Sequence, residues 1–83
     1  MPKKNFSLID SLTIQFLKEN IGKKFTVYNV WSLIGKKYPE IKISHPVFYK
    51  RIHQLLSVDK NLKSERLGYY ILVWYEEPKP SII

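Results

Sequence analysis

The stretch "SHPVFYKRIHQLLSVDKNLKSERLGYYIL", Ser44 to Leu72, carries two periodicities one after the other. In its first half Phe48, Ile52 and Leu55 recur at i, i+4 and i+7, with Leu56 adjoining. That spacing makes one apolar stripe along a helix. Ser44 stands where a helix cap belongs, and Pro46 is tolerated in the first turn, where its missing N–H would have no intrahelical partner anyway. Pro46, Lys50, His53, Gln54 and Ser57 then point away from the stripe, with Tyr49 and Arg51 on its flanks. The second half reads as a hairpin. "NLKSERL" is its first strand, "YYILVWY" its second, and Gly68 lies in or next to the turn. The second strand is apolar on both sides. One face has to cover the helices, and the other carries Tyr and Trp toward water or a partner.

Upstream, "SLIDSLTIQFLKENIG" predicts a helix over about Leu8 to Ile21. Ser7 followed by Asp10 is a variant of the capping box. Ile9, Leu12 and Phe16 share a face, and Gly22 suits the left-handed geometry of a helix end. "KKFTV" is short and β-leaning, enough for a small edge strand. Thr26 then caps a second helix, "VYNVWSLIGKKY", in which Val27, Val30, Trp31 and Ile34 follow helical spacing and Trp31 reads as a core anchor. Pro39 stops that helix near Tyr38. In the connector "PEIKI", Ile41 and Ile43 alternate with charges, so it either dips against the core or pairs as a short strand. No repeat interrupts this order. A single domain over 1–83 is expected, with an ordered core of about 7–76, a basic arm at 1–6 and a flexible, Pro-broken tail at 77–83.

Composition narrows the function classes. An 83-residue chain has a thin core, and with no cysteine it has neither a disulfide nor a thiolate metal site to reinforce it. Packing has to suffice, and 45% apolar residues with 14% aromatics supply the material. The N-terminus lacks the continuous apolar run of a signal peptide, and no stretch is long enough to span a membrane. The expected location is therefore intracellular: cytoplasm or nucleoid, or host cytoplasm for a viral protein. Fourteen Lys and Arg against seven Asp and Glu leave a net charge of +7, which suits a polyanionic partner. An enzyme is not expected. Glu76 and Glu77 are the only adjacent acids, and neighbours on a strand face opposite sides. Gly22, Gly35 and Gly68 are too scattered for a phosphate loop. His45 and His53, eight apart and with no Cys nearby, do not read as a zinc site. Neither cofactor, metal nor small-molecule ligand is expected.

The order helix, short strand, helix, helix, strand, strand resembles the winged helix-turn-helix family of DNA-binding domains, over about Leu8 to Tyr75. The likeness is sharpest in the stretch quoted first, with its Ser-capped helix, its mixed apolar and basic residues and its Gly-marked hairpin. The sequence departs from the simplest members in the longer connector, Pro39 to Ile43, and in a short wing whose basic residues are Lys63 and Arg66. The resemblance implies an α+β winged helix: three helices with a small antiparallel sheet and a C-terminal wing hairpin. It also implies a third helix lying in the major groove of double-stranded DNA. Pro46, Tyr49, Lys50, His53 and Gln54 would face base edges. Lys36, Lys37, Lys42, Ser44, His45, Arg51, Lys60, Lys63 and Arg66 would lie near phosphates, with the 63–69 wing on the backbone or in the minor groove. Tyr70, Leu72 and Trp74, on the outward face of the last strand, are candidates for a homodimer interface. The expectation is a sequence-specific transcriptional regulator. The alternatives are a winged-helix docking module within a larger protein assembly, and an RNA-binding domain.

Overall fold

The computed structural model describes residues 7–77. The expected basic arm and the tail beyond Glu77 lie outside them. Three helices pack on a three-stranded antiparallel sheet, an α+β architecture.

Helix α1 runs Ser7–Lys18 and buries Ile9, Thr13 and Leu17. Thr13 is polar, yet its hydroxyl donates to the Ile9 carbonyl at 2.7 Å, so nothing buried is left unpaired there. The helix ends one turn earlier than the apolar spacing suggests. The Asn20 side chain donates to the Phe16 carbonyl at 2.8 Å, and the chain turns at Gly22, where φ is +81°. The Gly22 N–H then donates to the Tyr75 carbonyl at 3.0 Å. A helical Gly22 would forfeit that link to the far end of the chain.

Strand β1 is only Phe25–Thr26, the small edge strand anticipated from "KKFTV". Thr26 has two roles. It pairs with Leu72 in the sheet, and its hydroxyl accepts from the Asn29 N–H at 3.1 Å to cap helix α2, Val27–Lys37. Val27, Val30 and Ile34 face the core, and the helix stops at Tyr38, before Pro39. The connector forms no strand. Its Ile41 and Ile43 lie half-buried against the core.

Helix α3, His45–Val58, buries Phe48 and Ile52, with Leu55 and Leu56 packed beside them. Burying an apolar side chain of that size contributes about 1.5–3 kcal/mol. Ser44 has the extended backbone of a cap, but its side chain makes no capping hydrogen bond. Ser44 thus holds the cap position expected of it, without a side-chain hydrogen bond. A capping oxygen serves the N–H of the second or third helical residue; the second is Pro46, which has none, and the third, Val47, receives no bond from Ser44.

Strands β2, Leu62–Leu67, and β3, Tyr70–Tyr75, pair from Leu62↔Tyr75 to Leu67↔Tyr70. Only Gly68 and Tyr69 are left for the turn. Gly68 has φ +63° and no other residue type among those described has positive φ, which is the pattern of a type II′ hairpin turn. The sheet order is β1-β3-β2, so the most apolar strand is central. Side chains alternate along it: Val73 and Tyr75 are buried in the core with Leu62, while Tyr70, Leu72 and Trp74 face outward.

Candidate nucleic-acid interface

The outward face of α3 is polar along its length. Pro46, Lys50, His53 and Gln54 are all exposed, and Ser57 continues the row. The buried stripe of Phe48 and Ile52 turns that row away from the core, so the fold presents it whole. Tyr49 is half-buried at its flank. Four of the five expected base-reading residues thus share one open face, and the fifth borders it.

A ribbon of rings crosses from α2 to this face, a feature the sequence reading missed. Tyr28 lies 5.4 Å from Trp31 and 5.5 Å from His45, and Trp31 lies 5.3 Å from His45. His45 is 6.4 Å from Tyr49, and Tyr49 meets His53 at 4.7 Å in an edge-to-face contact. Such contacts are favourable beyond the area they bury. His45 is therefore lodged among rings of both helices. Trp31, read as a core anchor, is half-buried, and its indole N–H donates to the Ile43 carbonyl at 2.8 Å. That bond ties the long connector to α2 and so sets where α3 begins. Tyr28 with Trp31 is an i, i+3 pair, and His45 with Tyr49 and Tyr49 with His53 are i, i+4 pairs legible in the sequence, but their meeting across two helices is not.

The expected phosphate contacts divide into groups. Lys36, Lys42 and Ser44 border a shallow groove of about 580 Å³ between α2 and the connector, walled by Trp31 and Ile43. Lys37 turns instead toward the Tyr38 ring, at 5.6 Å. Lys60 is exposed beyond the end of α3. Lys63 and Arg66, both expected at phosphates, point to opposite faces of the hairpin, because they are an odd number of residues apart. Arg66 shares the helix side with Leu62, whereas Lys63 stands opposite Trp74 on the outer face.

Arg51 has a different role from the one expected. Its guanidinium forms a two-pronged ion pair with Asp10 of α1, with Nε donating to Oδ1 at 3.2 Å and Nη2 to Oδ2 at 2.5 Å. The two side chains are only 27% and 20% exposed. The hydrogen bond to the carboxylate, together with its charge, raises the guanidinium pKa above its usual value, against an opposing effect of burial. Arg51 clamps α3 to α1.

On the outer sheet face Tyr70 is exposed, while Leu72 and Trp74 are half-buried. The Lys24 ammonium sits 4.5 Å over the Trp74 ring and pairs with Glu65 at 3.4 Å. The Trp74 indole N–H donates to Glu76 at 3.3 Å. Charged side chains thus lie across the middle of the expected dimer surface. Among the described residues no helix is long and apolar enough to cross a membrane, and no three His, Cys, Asp or Glu side chains converge as metal ligands would. No protein-family model matches the chain, and neither curated proteins nor solved structures yield a match.

Proposed function

We infer that the chain is a winged-helix domain that binds double-stranded DNA as a sequence-specific regulator, with α3 in the major groove and the β2–β3 hairpin as its wing. One observation carries the reading: an uninterrupted exposed row, Pro46, Lys50, His53 and Gln54, on a helix whose opposite side is core. Lys50 is suited to guanine O6 and N7, and Gln54 to adenine N6 and N7. Lys36, Lys42 and Ser44 flank the start of α3, where a phosphate strand bordering the groove would run. The net charge of +7 supplies the sequence-independent attraction. Function then comes from occupying DNA, with no catalytic step. Two copies related by a two-fold axis would place their α3 helices about 34 Å apart, one helical turn of DNA.

Selection of bound duplexes from a random pool tests the reading. A recurring motif is expected, with binding that falls steeply as salt rises. Failure to shift any duplex even at low salt would refute it. Competition with RNA duplexes and single strands separates DNA from RNA recognition. Light scattering with and without the selected site reads the oligomeric state. The docking alternative would rest on the outer sheet face and on the tail at 80–83, which lies outside the described residues. Lys24 and Glu65 across the middle of that face weigh against it, and equally against a dimer formed through that face.

A further inference from the structure

We propose that the tip of the β2–β3 hairpin is an apolar wedge that enters the minor groove and opens a base step, so that the protein bends the duplex it binds. This rests on the DNA-binding reading. The sequence suggests a weak wing, since its basic residues are few. The structure puts something else at the tip. Leu67, Tyr69 and Tyr70 are 59%, 100% and 62% exposed, three large apolar side chains around one turn. Each keeps more than half of its surface open, and Tyr69 all of it; exposed apolar clusters of this kind mark contact sites.

The tip stands at the end of an unbroken ladder. Six residue pairs in continuous register, Leu62↔Tyr75 to Leu67↔Tyr70, lead up to it. Gly68, at φ +63°, permits the tight turn that leaves Tyr69 at the apex. The surroundings favour a polyanion. From Arg66 to Tyr75 there is no acidic residue, and Glu65, just behind the tip, is paired with Lys24. Arg66 stands beside the turn and is exposed, placed to meet a phosphate at the groove edge.

Size selects the occupant. A stable protein–protein interface takes about 800 Å² from each partner. A hairpin tip with three side chains offers far less. A minor-groove wedge needs only one or two apolar side chains slid between base pairs. Tyrosine suits that place: its ring can stack on an opened base, and its hydroxyl can donate to adenine N3 or thymine O2. TA steps, which unstack most readily, are the expected site.

The test uses the full chain and an A·T-rich duplex of about 30 base pairs, with a fluorescent adenine analogue at its TA steps. Unstacking brightens the analogue, and end-to-end energy transfer on the same duplex reads the bend. The parent protein should brighten the duplex and shorten it. Tyr69→Ala should weaken binding about tenfold, the scale of losing one base stack, and abolish both signals. Tyr69→Phe, which keeps the ring, should retain them. The side chain is fully exposed, so the fold should survive either change, and the melting temperature checks this. A duplex that is bound but neither brightened nor bent refutes the wedge and leaves the DNA reading standing. So does Tyr69→Ala binding with parental affinity, or losing only self-association. If the parent binds no duplex at all, the DNA reading fails and the wedge fails with it.

Discussion

Lys50 and Arg51 are neighbours on α3, and their replacement should have opposite consequences. Arg51→Ala removes a two-pronged, charge-assisted pair with Asp10 in which both side chains are mostly shielded from water. Hydrogen bonds to charged groups contribute more than neutral ones, but the remaining exposure lets water reach the abandoned Asp10 carboxylate. The expected loss is therefore about 1.5 kcal/mol. In a domain of this size that lowers the melting temperature by about 6–12 °C. Lys50→Ala removes an exposed side chain and installs a better helix former, so stability should change by no more than about 0.5 kcal/mol. Binding should follow the reverse order. Lys50→Ala should weaken it and, if the ammonium neutralises a phosphate, flatten the logarithmic salt dependence by about one unit. Arg51→Ala should leave that slope alone. The assays are thermal melting of each variant, with an Asp10→Ala, Arg51→Ala cycle to isolate the coupling, and fluorescence anisotropy of labelled duplex across a salt series. Should Arg51→Ala melt with the parent and flatten the slope as Lys50→Ala does, the clamp assignment is wrong and the guanidinium belongs to phosphate.

Three further outcomes concern the frame that holds the interface. Thr26→Ala should cost about 1 kcal/mol, because Thr26 accepts from the Asn29 N–H, whereas Ser44→Ala should cost far less, because that hydroxyl caps nothing; urea melts of the two compare them directly, and equal losses would contradict the geometry. Gly68→Ala forces a side chain into left-handed backbone at φ +63° and should destabilise the hairpin by about 1 kcal/mol, read as faster amide exchange in β2 and β3 with α1 little changed. Trp31→Phe keeps a ring among Tyr28 and His45 but removes the donor to Ile43. It should cost about 1 kcal/mol and speed amide exchange in the connector; parental exchange there would mean that the indole bond does not hold the connector.

Local pattern was enough for the elements themselves. Phe48, Ile52 and Leu55 announce α3 because helical spacing is a property of consecutive residues, and Thr26 and Gly68 announce a cap and a turn because each acts within two or three positions. The α+β class follows from their order. What the chain could not display locally are partnerships across many residues. The early end of α1 depends on a carbonyl at Tyr75. The role of Arg51 depends on Asp10, forty-one residues away. Lys63 and Arg66 part company only once the strand register assigns each a face. Tyr28, Trp31, His45, Tyr49 and His53 become one ribbon only when α2 and α3 lie side by side. Spacing along a helix or strand is set by backbone geometry, which the sequence expresses directly. Contact between elements is set by how their buried faces pack, and that packing alone determined which charges remain for a partner and which are already used within the fold.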